Sequence, residues 1–110
     1  VLGKTFLETK RQTLFLGVDA GFNIAPEPAY YKLPFQPVSL IDPMELPADT
    51  LETMTVVGNI NEALDVWYED ALLPNMKDQD HLVLINSGAY SSSMASNHCM
   101  RGEFKEVLLD

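Results

Sequence analysis

The sequence predicts an all-β domain of the Greek-key barrel or sandwich type, and three observations support this. Several short runs rich in β-branched and aromatic residues are separated by turn signals at steady intervals. Six of the seven prolines lie between residues 20 and 53, a density that excludes long helices there. The 110 residues suffice for one domain, residues 1–110, and 46% of them are hydrophobic, which allows a modest core.

The first nineteen residues predict a β-hairpin. Residues 5–8 and 13–18 have strand-like composition, and the polar residues 9–12 between them are typical of a turn. The proline-rich segment that follows, 20–53, is unusually long for a loop in a compact domain, and loops of such length are often functional. A short strand at 37–41 is predicted to interrupt it.

The second half of the chain predicts further strands and little helix. Four strands are expected, at residues 54–58, 65–69, 81–85 and 104–109. The run at 81–85 is almost continuously apolar, which predicts burial on both of its faces. Residues 73–80 are predicted to form a polar turn, and only residues 92–97 are expected to hold a helical turn.

Charge and cysteine content exclude several classes of function. The formal net charge is −9 and only seven residues are Lys or Arg, which argues against nucleic acid or an anionic membrane as a partner. No run of apolar residues is long enough to span a bilayer. Cys99 is the single cysteine, so we expect no internal disulfide and a reducing, cytoplasmic location. His81 and His98 are far apart and lack partners in the sequence, so no metal site is predicted.

Four segments occur in an order that is more informative than the pattern of strands. The chain contains VDAGFN at 18–23, EPAYY at 27–31, GNINEALD at 58–65 and GAYSSSMASN at 88–97, and EVLL follows at 106–109. In sequence and spacing these resemble the C-terminal β-domain of the pyridoxal-phosphate-dependent decarboxylases of the diaminopimelate and ornithine type. The resemblance extends over nearly the whole chain, and VDAGFN and GAYSSSMASN are its most specific parts.

The resemblance implies a two-domain decarboxylase that releases carbon dioxide from a diamino acid. In that family a (β/α)8 barrel precedes this domain and carries the lysine that binds pyridoxal 5'-phosphate. A barrel alone needs about 250 residues, so this chain is expected to be a fragment that is inactive by itself. The resemblance also implies a homodimer, in which each active site is completed at the interface between two chains.

Three residues are expected, from the resemblance, to face the cofactor or the substrate. Tyr90 matches the family tyrosine that approaches the cofactor phosphate, to which a phenol can donate a hydrogen bond. Glu27 stands where the diaminopimelate enzymes have an arginine for the far carboxylate, and its negative charge favours an ammonium, as in ornithine or lysine. Tyr31 matches a substrate-contacting tyrosine. The alternatives are that Tyr90 caps the core, that Glu27 faces solvent and that Tyr31 packs within its loop.

Two further residues match the family's catalytic segment. Glu62 matches the glutamate that reaches across the dimer interface to the substrate's amino end; alternatively it is a solvated surface charge. Asn61 stands where the family has a cysteine that is thought to help protonate the carbanion left after carbon dioxide departs. An amide does not titrate near neutral pH, so Asn61 could orient water or substrate but could not replace that thiol. Cys99 lies in another segment and is not expected to substitute for it.

Three alternatives to an active decarboxylase remain open from the sequence. Asn61 is compatible with a catalytically inactive homologue that acts by binding partners. A free-standing β-domain that binds a small molecule or a protein is a second alternative. A racemase of the same two-domain plan is the third, although GAYSSSMASN and GNINEALD favour the decarboxylases.

Overall fold

Strands dominate the structure, as the sequence predicts. The computed structural model describes residues 1, 3–7, 13–33, 35–41, 44, 46, 50–100 and 105–109. Its strands are β1 (Gly3–Leu7), β2 (Thr13–Gly17), β3 (Gln36–Ser39), β4 (Leu51–Val57), β5 (Val66–Pro74) and β6 (Leu82–Ile85). Two five-residue helices accompany them, α1 (Glu27–Tyr31) and α2 (Ala89–Ser93), and a 3-10 turn lies at His98–Met100. The all-β fold class is therefore confirmed.

The strands form two sheets. One has the order β1-β2-β4-β5, and the other pairs β3 with β6 in antiparallel register. The predicted hairpin is present, because β1 and β2 pair antiparallel from Gly3 opposite Gly17 to Leu7 opposite Thr13. Its predicted turn, 9–12, lies outside the described residues. β2 pairs parallel with β4, so the chain between them crosses over and carries α1 and β3 with it.

The core lies along the middle strands of the larger sheet. Leu16 of β2 and Val56 of β4 have no exposed surface, and Met54 is 1% exposed. From β5, Trp67 stacks on Phe35 with ring centroids 6.0 Å apart. Full burial of an aliphatic side chain contributes about 1.5–3 kcal/mol, so these positions dominate the apolar stabilisation of the domain.

The structure corrects two strand predictions. Residues 81–85 are not buried on both faces. In the two-stranded sheet of β3 and β6, Leu82 and Leu84 pack on the core while Val83 and Ile85 remain partly exposed. A continuous apolar run does not distinguish these two environments. The strand predicted at 104–109 is also wrong over its described part, since residues 105–109 are exposed and no described strand pairs with them.

The predicted turn at 73–80 and the predicted helical turn also need correction. β5 extends to Pro74, and Leu73, Pro74 and Met76 are buried, so the turn is confined to the residues that follow them.

Residues 27–31 form a helix that was not predicted, because prolines are dense in this part of the sequence. Pro28 lies in the first helical turn, where a missing N–H costs nothing. The second helix begins at Ala89, three residues before the predicted helical turn. No helix in the described ranges has the length and apolar character needed to cross a bilayer.

Candidate functional site

Asp65 is the hydrogen-bonding centre of the loop that carries Asn61 and Glu62. Its side chain is almost fully buried, and the carboxylate accepts hydrogen bonds from the backbone N–H groups of Phe22 and Ile60, each at 2.8 Å. Gly58 lies so close that a methyl group there would collide with the Asp65 carboxylate. A buried carboxylate needs such donors. The bond from Ile60 closes the GNINEALD loop on itself, and the bond from Phe22 connects that loop to the VDAGFN segment.

Asn23 connects the VDAGFN segment to the chain after α2. Its side chain is 3% exposed, and its Nδ2 donates to the backbone oxygen of Ser96 at 3.1 Å. In return, the Ser96 N–H donates to the backbone oxygen of Asn23 at 2.8 Å. This pair of bonds places residues 88–97 beside VDAGFN although more than 70 positions separate them.

Glu27 is buried rather than solvent-facing, which excludes the alternative that it points into water. It begins α1 and is 4% exposed. Its Oε1 accepts a hydrogen bond from the hydroxyl of Ser91 on α2 at 3.0 Å. Its Oε2 is buried and has no hydrogen-bond partner among the described residues. Asn23, Glu27 and Asp65 are called the polar anchors below, because each is buried and each binds a distant segment.

Tyr31 and Tyr90 lie on the same two helices and are both exposed. Tyr31 is 56% exposed, and its hydroxyl lies 3.9 Å from the sulfur of Met94, a weak contact. Tyr90 is 65% exposed, so it does not cap the core, and within the described chain no residue hydrogen-bonds its hydroxyl. Within the described chain this phenol therefore has a hydrogen bond left to donate.

Asn61 and Glu62 are both exposed on the loop between β4 and β5. Glu62 is not simply a solvated charge, because its Oε1 lies 2.6 Å from Nε2 of His98. The prediction that His98 lacks a partner is therefore wrong. Cys99 follows His98, and its sulfur lies within 4.8 Å of the ligand atoms of both Glu62 and His98.

Phe22 packs between helix α1 and His98, and so between the two groups of predicted site residues. Its buried ring contacts Tyr30 of α1 edge-on, with centroids 6.0 Å apart, and the ring of His98 at 4.9 Å. The structure thus brings Glu27 and Tyr31 together with α2, which carries Tyr90. Asn61 and Glu62 lie on the other loop, and Glu62 contacts His98.

Sequence reasoning missed Asp65, Ser91 and His98. The signals were present, since Asp65 ends the GNINEALD segment and Ser91 lies next to Tyr90. Their roles depend on partners 36 to 64 positions away, which periodicity along the chain does not indicate.

A cavity of about 440 Å³ opens beside α1 but does not coincide with these residues. Pro28, Lys32 and Leu33 line it on one side and Trp67 and Glu69 on the other. None of the five predicted site residues lines it. Open space and site chemistry therefore lie in adjacent but different places in this chain, as expected if the domain contributes only one wall of a larger site.

Comparison with known proteins identifies the same family from independent information. Residues 1–88 match the family described as pyridoxal-dependent decarboxylase, C-terminal sheet domain. The diaminopimelate decarboxylase of Methanothermobacter thermautotrophicus is 39% identical over 95 residues, and that of Escherichia coli K12 is 40% identical over 106 residues. These alignments cover 86% and 87% of this chain.

A solved structure agrees with the sequence comparisons. The crystal structure of Helicobacter pylori diaminopimelate decarboxylase complexed with L-lysine superposes with a TM-score of 0.71 and 31% identity. The superposition covers 89% of this chain and 23% of that one. The chain likewise spans only 22% of the Methanothermobacter protein and 25% of the Escherichia coli protein. The match over residues 1–88, supported by this likeness in sequence and fold, shows that the chain belongs to the family of C-terminal sheet domains of pyridoxal-dependent decarboxylases.

Proposed function

We propose that this domain completes the active site of a pyridoxal-phosphate-dependent decarboxylase that acts on a diamino acid. Family membership supports the reaction class. The cofactor, bound mainly by the barrel domain that other members carry, supplies an electron sink for the bond that breaks as carbon dioxide leaves. The residues of this chain bind and orient, and the single cysteine fits a reducing compartment such as the cytoplasm.

The buried carboxylate of Glu27 is the observation that carries the substrate class. Ser91 satisfies one of its oxygens, and the other is buried with no hydrogen-bond partner in the described chain. An ionised carboxylate in such a place needs a cation or further donors. An ammonium group carries three N–H donors and a positive charge. We therefore assign Glu27 to the far ammonium of the substrate, with the exposed phenol of Tyr31 on the same helix as a second contact. Because Oε2 is buried and Glu27 does not line the cavity beside α1, this contact requires the carboxylate to turn toward the surface.

The names of the relatives point to diaminopimelate, whereas the charge of Glu27 favours another diamino acid. Both similar proteins are named diaminopimelate decarboxylases, and the Helicobacter pylori structure contains L-lysine. Diaminopimelate carries an ammonium and a carboxylate at its far end, whereas lysine and ornithine carry an ammonium alone. Glu27 attracts the first group and repels the second, so we expect ornithine or lysine to be preferred over diaminopimelate.

Tyr90, Asn61 and Glu62 complete the assignment. The exposed phenol of Tyr90 donates a hydrogen bond to the cofactor phosphate. Glu62 accepts a hydrogen bond from the substrate's amino end in the site of a second chain, and Asn61 beside it orients water or substrate. Because Asn61 has no titratable proton, an inactive homologue that binds partners is the second candidate.

The first test measures decarboxylation by the full-length protein that contains this domain. Carbon dioxide release is followed with L-lysine, L-ornithine and diaminopimelate for the wild type and for Glu27→Gln. Loss of one charged hydrogen bond should lower kcat/KM for lysine and ornithine about 10- to 100-fold. Asp78→Asn, an exposed change of the same kind in the turn before β6, is the matched control and should leave turnover unchanged.

Two results would contradict the proposal in different ways. Equal turnover of lysine and ornithine by Glu27→Gln and the wild type would remove Glu27 from the substrate site. Visible pyridoxal absorbance with no decarboxylation of any of the three amino acids would instead support the inactive homologue. Absence of that absorbance in the full-length protein would contradict the cofactor itself.

The shared active site has its own test. A Glu62→Gln chain is mixed with a chain whose cofactor-binding lysine is replaced, each being inactive or weakly active alone. If Glu62 acts in the partner's site, the mixed dimer contains one intact site and activity returns. If mixing restores nothing while heterodimers form, Glu62 acts within its own chain or not at all.

A further inference from the structure

We propose that Glu62, His98 and Cys99 bind one zinc ion per chain. A carboxylate oxygen, an imidazole nitrogen and a thiol sulfur, one from each residue, all lie within 4.8 Å of one another. The three come from two segments 36 positions apart, so the fold and not local sequence brings them together. This replaces the expectation from the sequence that the chain has no metal site.

Buried contacts hold both segments in place. The loop that carries Glu62 is fixed by the Asp65 carboxylate, which binds Ile60 and Phe22. The segment that carries His98 is fixed by the paired bonds between Asn23 and Ser96, and the His98 ring packs on the buried ring of Phe22. Ligands supported in this way are partly preorganised, which lowers the entropic cost of binding an ion.

The donor set favours zinc among common biological metals. Thiolate and imidazole ligands suit Zn²⁺, whereas Mg²⁺ and Ca²⁺ prefer sites made of oxygen alone. Three protein ligands with a fourth position open to water is a common zinc arrangement. All three groups are partly or fully exposed, so an ion has access to them from solvent.

The present distances require only a small rearrangement. Ligand atoms on one tetrahedral zinc lie roughly 3.3–3.6 Å apart, given bond lengths of about 2.0–2.3 Å. The Glu62–His98 separation of 2.6 Å must therefore widen by somewhat under ~1 Å. The sulfur of Cys99 lies within 4.8 Å of both other ligand atoms, so it must approach them by at most roughly 1.5 Å. The hydrogen bond between Glu62 and His98 is exchanged for two metal bonds, the Cys99 thiol proton is released, and the neutral His98 ring keeps its one hydrogen on Nδ1.

Cobalt substitution in the full-length protein tests this site without relying on enzyme activity. Tetrahedral Co²⁺ gives intense visible bands that lie to the red of pyridoxal absorption, and zinc should abolish them by competition. We expect saturation at one Co²⁺ per chain. The bands should disappear in Cys99→Ser and in His98→Gln, and they should weaken as the pH falls because the ligands must be deprotonated.

His81 provides the matched control because it is the only other histidine and lies outside the cluster. His81→Gln should bind Co²⁺ like the wild type. The proposal is overturned if Co²⁺ gives only the weak spectrum of an octahedral ion. It is equally overturned if the bands survive in either Cys99→Ser or His98→Gln, because three protein ligands would then not be involved.

One consequence of the metal site rests on the proposed function, whereas metal binding itself does not. If Glu62 serves the partner's substrate site, zinc would hold its carboxylate away from the substrate and inhibit decarboxylation. Inhibition should then be reversed by a chelator and should be absent in Cys99→Ser. Zinc binding without inhibition would keep the metal site and contradict the role of Glu62 in catalysis.

Discussion

Leu16, Met54 and Val56 are enclosed by other apolar side chains of the core. The polar anchors are buried almost as completely, at 3–4% exposure, but hydrogen bonds to distant segments hold them. The two regions therefore resist disruption for different reasons. The core is stabilised by non-directional burial of apolar surface, whereas each polar anchor depends on partners at one distance and angle.

This difference separates the fold from the site. The core positions belong to strands β2, β4 and β5, which set the sheet. The polar anchors lie on the segments between strands and on α1, and they orient the residues assigned to chemistry. A change in the core should therefore lower the stability of the whole domain. A change in a polar anchor should also displace a particular loop.

Replacing Asp65 should produce the largest loss of stability. Asp65→Ala removes two hydrogen bonds to a charged acceptor and leaves two backbone N–H groups without it, at a cost of about 3–5 kcal/mol. Urea denaturation of the full-length protein and of Asp19→Ala, an exposed acidic residue of the neighbouring segment, measures the difference. Asp19→Ala should change stability by less than about 0.5 kcal/mol. Similar midpoints for the two variants would show that Asp65 is not an anchor.

Leu73 and Leu72 test the core with a pair of neighbours on one strand. Leu73 is 3% exposed and packs in the core, whereas Leu72 is 62% exposed on the other face of β5. Leu73→Ala should cost about 2–5 kcal/mol, and Leu72→Ala less than about 1 kcal/mol. The midpoints of denaturant unfolding measure the loss of stability in each variant. A larger loss at Leu72 would mean that another part of the protein covers that face.

Much of the core could be predicted from the sequence, because local composition indicates where the core strands lie. The hairpin and the strand predicted at 37–41 lie near their observed positions, and those predicted at 54–58 and 65–69 overlap β4 and β5, which begin earlier and end later, respectively. The failures were at places where burial depends on a partner. Residues 81–85 have the composition of a fully buried strand, but Val83 and Ile85 are exposed while Leu82 and Leu84 pack on the core. Residues 105–109 have strand-like composition and no described partner.

The site was less predictable for the same reason. The resemblance predicts that the site contains Glu27, Tyr31, Tyr90, Asn61 and Glu62, and this stays a prediction. The segments that carry them pack beside VDAGFN. The resemblance could not show that Glu27 is buried against Ser91 or that Glu62 contacts His98, since both contacts join residues far apart in the chain. Long-range polar pairs leave no periodic pattern, so they become visible only in three dimensions.

Ser91 and Glu27 should give intermediate effects of opposite sign. Ser91→Ala removes the hydrogen-bond donor to Glu27 Oε1 and should destabilise the protein by about 1–2 kcal/mol. Glu27→Gln removes a buried charge whose second oxygen has no described partner, and it should be neutral or stabilising by up to about 1 kcal/mol. Thermal denaturation measures both. A loss of stability in Glu27→Gln as large as that in Ser91→Ala would show that the charge is structural.

His98 should give the smallest effect in the absence of metal. The Glu62–His98 pair has both side chains 37% exposed, and exposed pairs contribute about 0.2–1 kcal/mol. His98→Phe keeps a ring against Phe22, and His98→Gln keeps a hydrogen-bonding group, so each variant should lose less than about 1 kcal/mol. Thermal denaturation of the full-length protein is then repeated with excess zinc. The wild type should gain about 2.7 kcal/mol at a zinc concentration 100 times the dissociation constant, and both variants should gain far less. An equal gain in all three proteins would place the zinc elsewhere, and the weak pair of Glu62 and His98 would then be an ordinary surface contact.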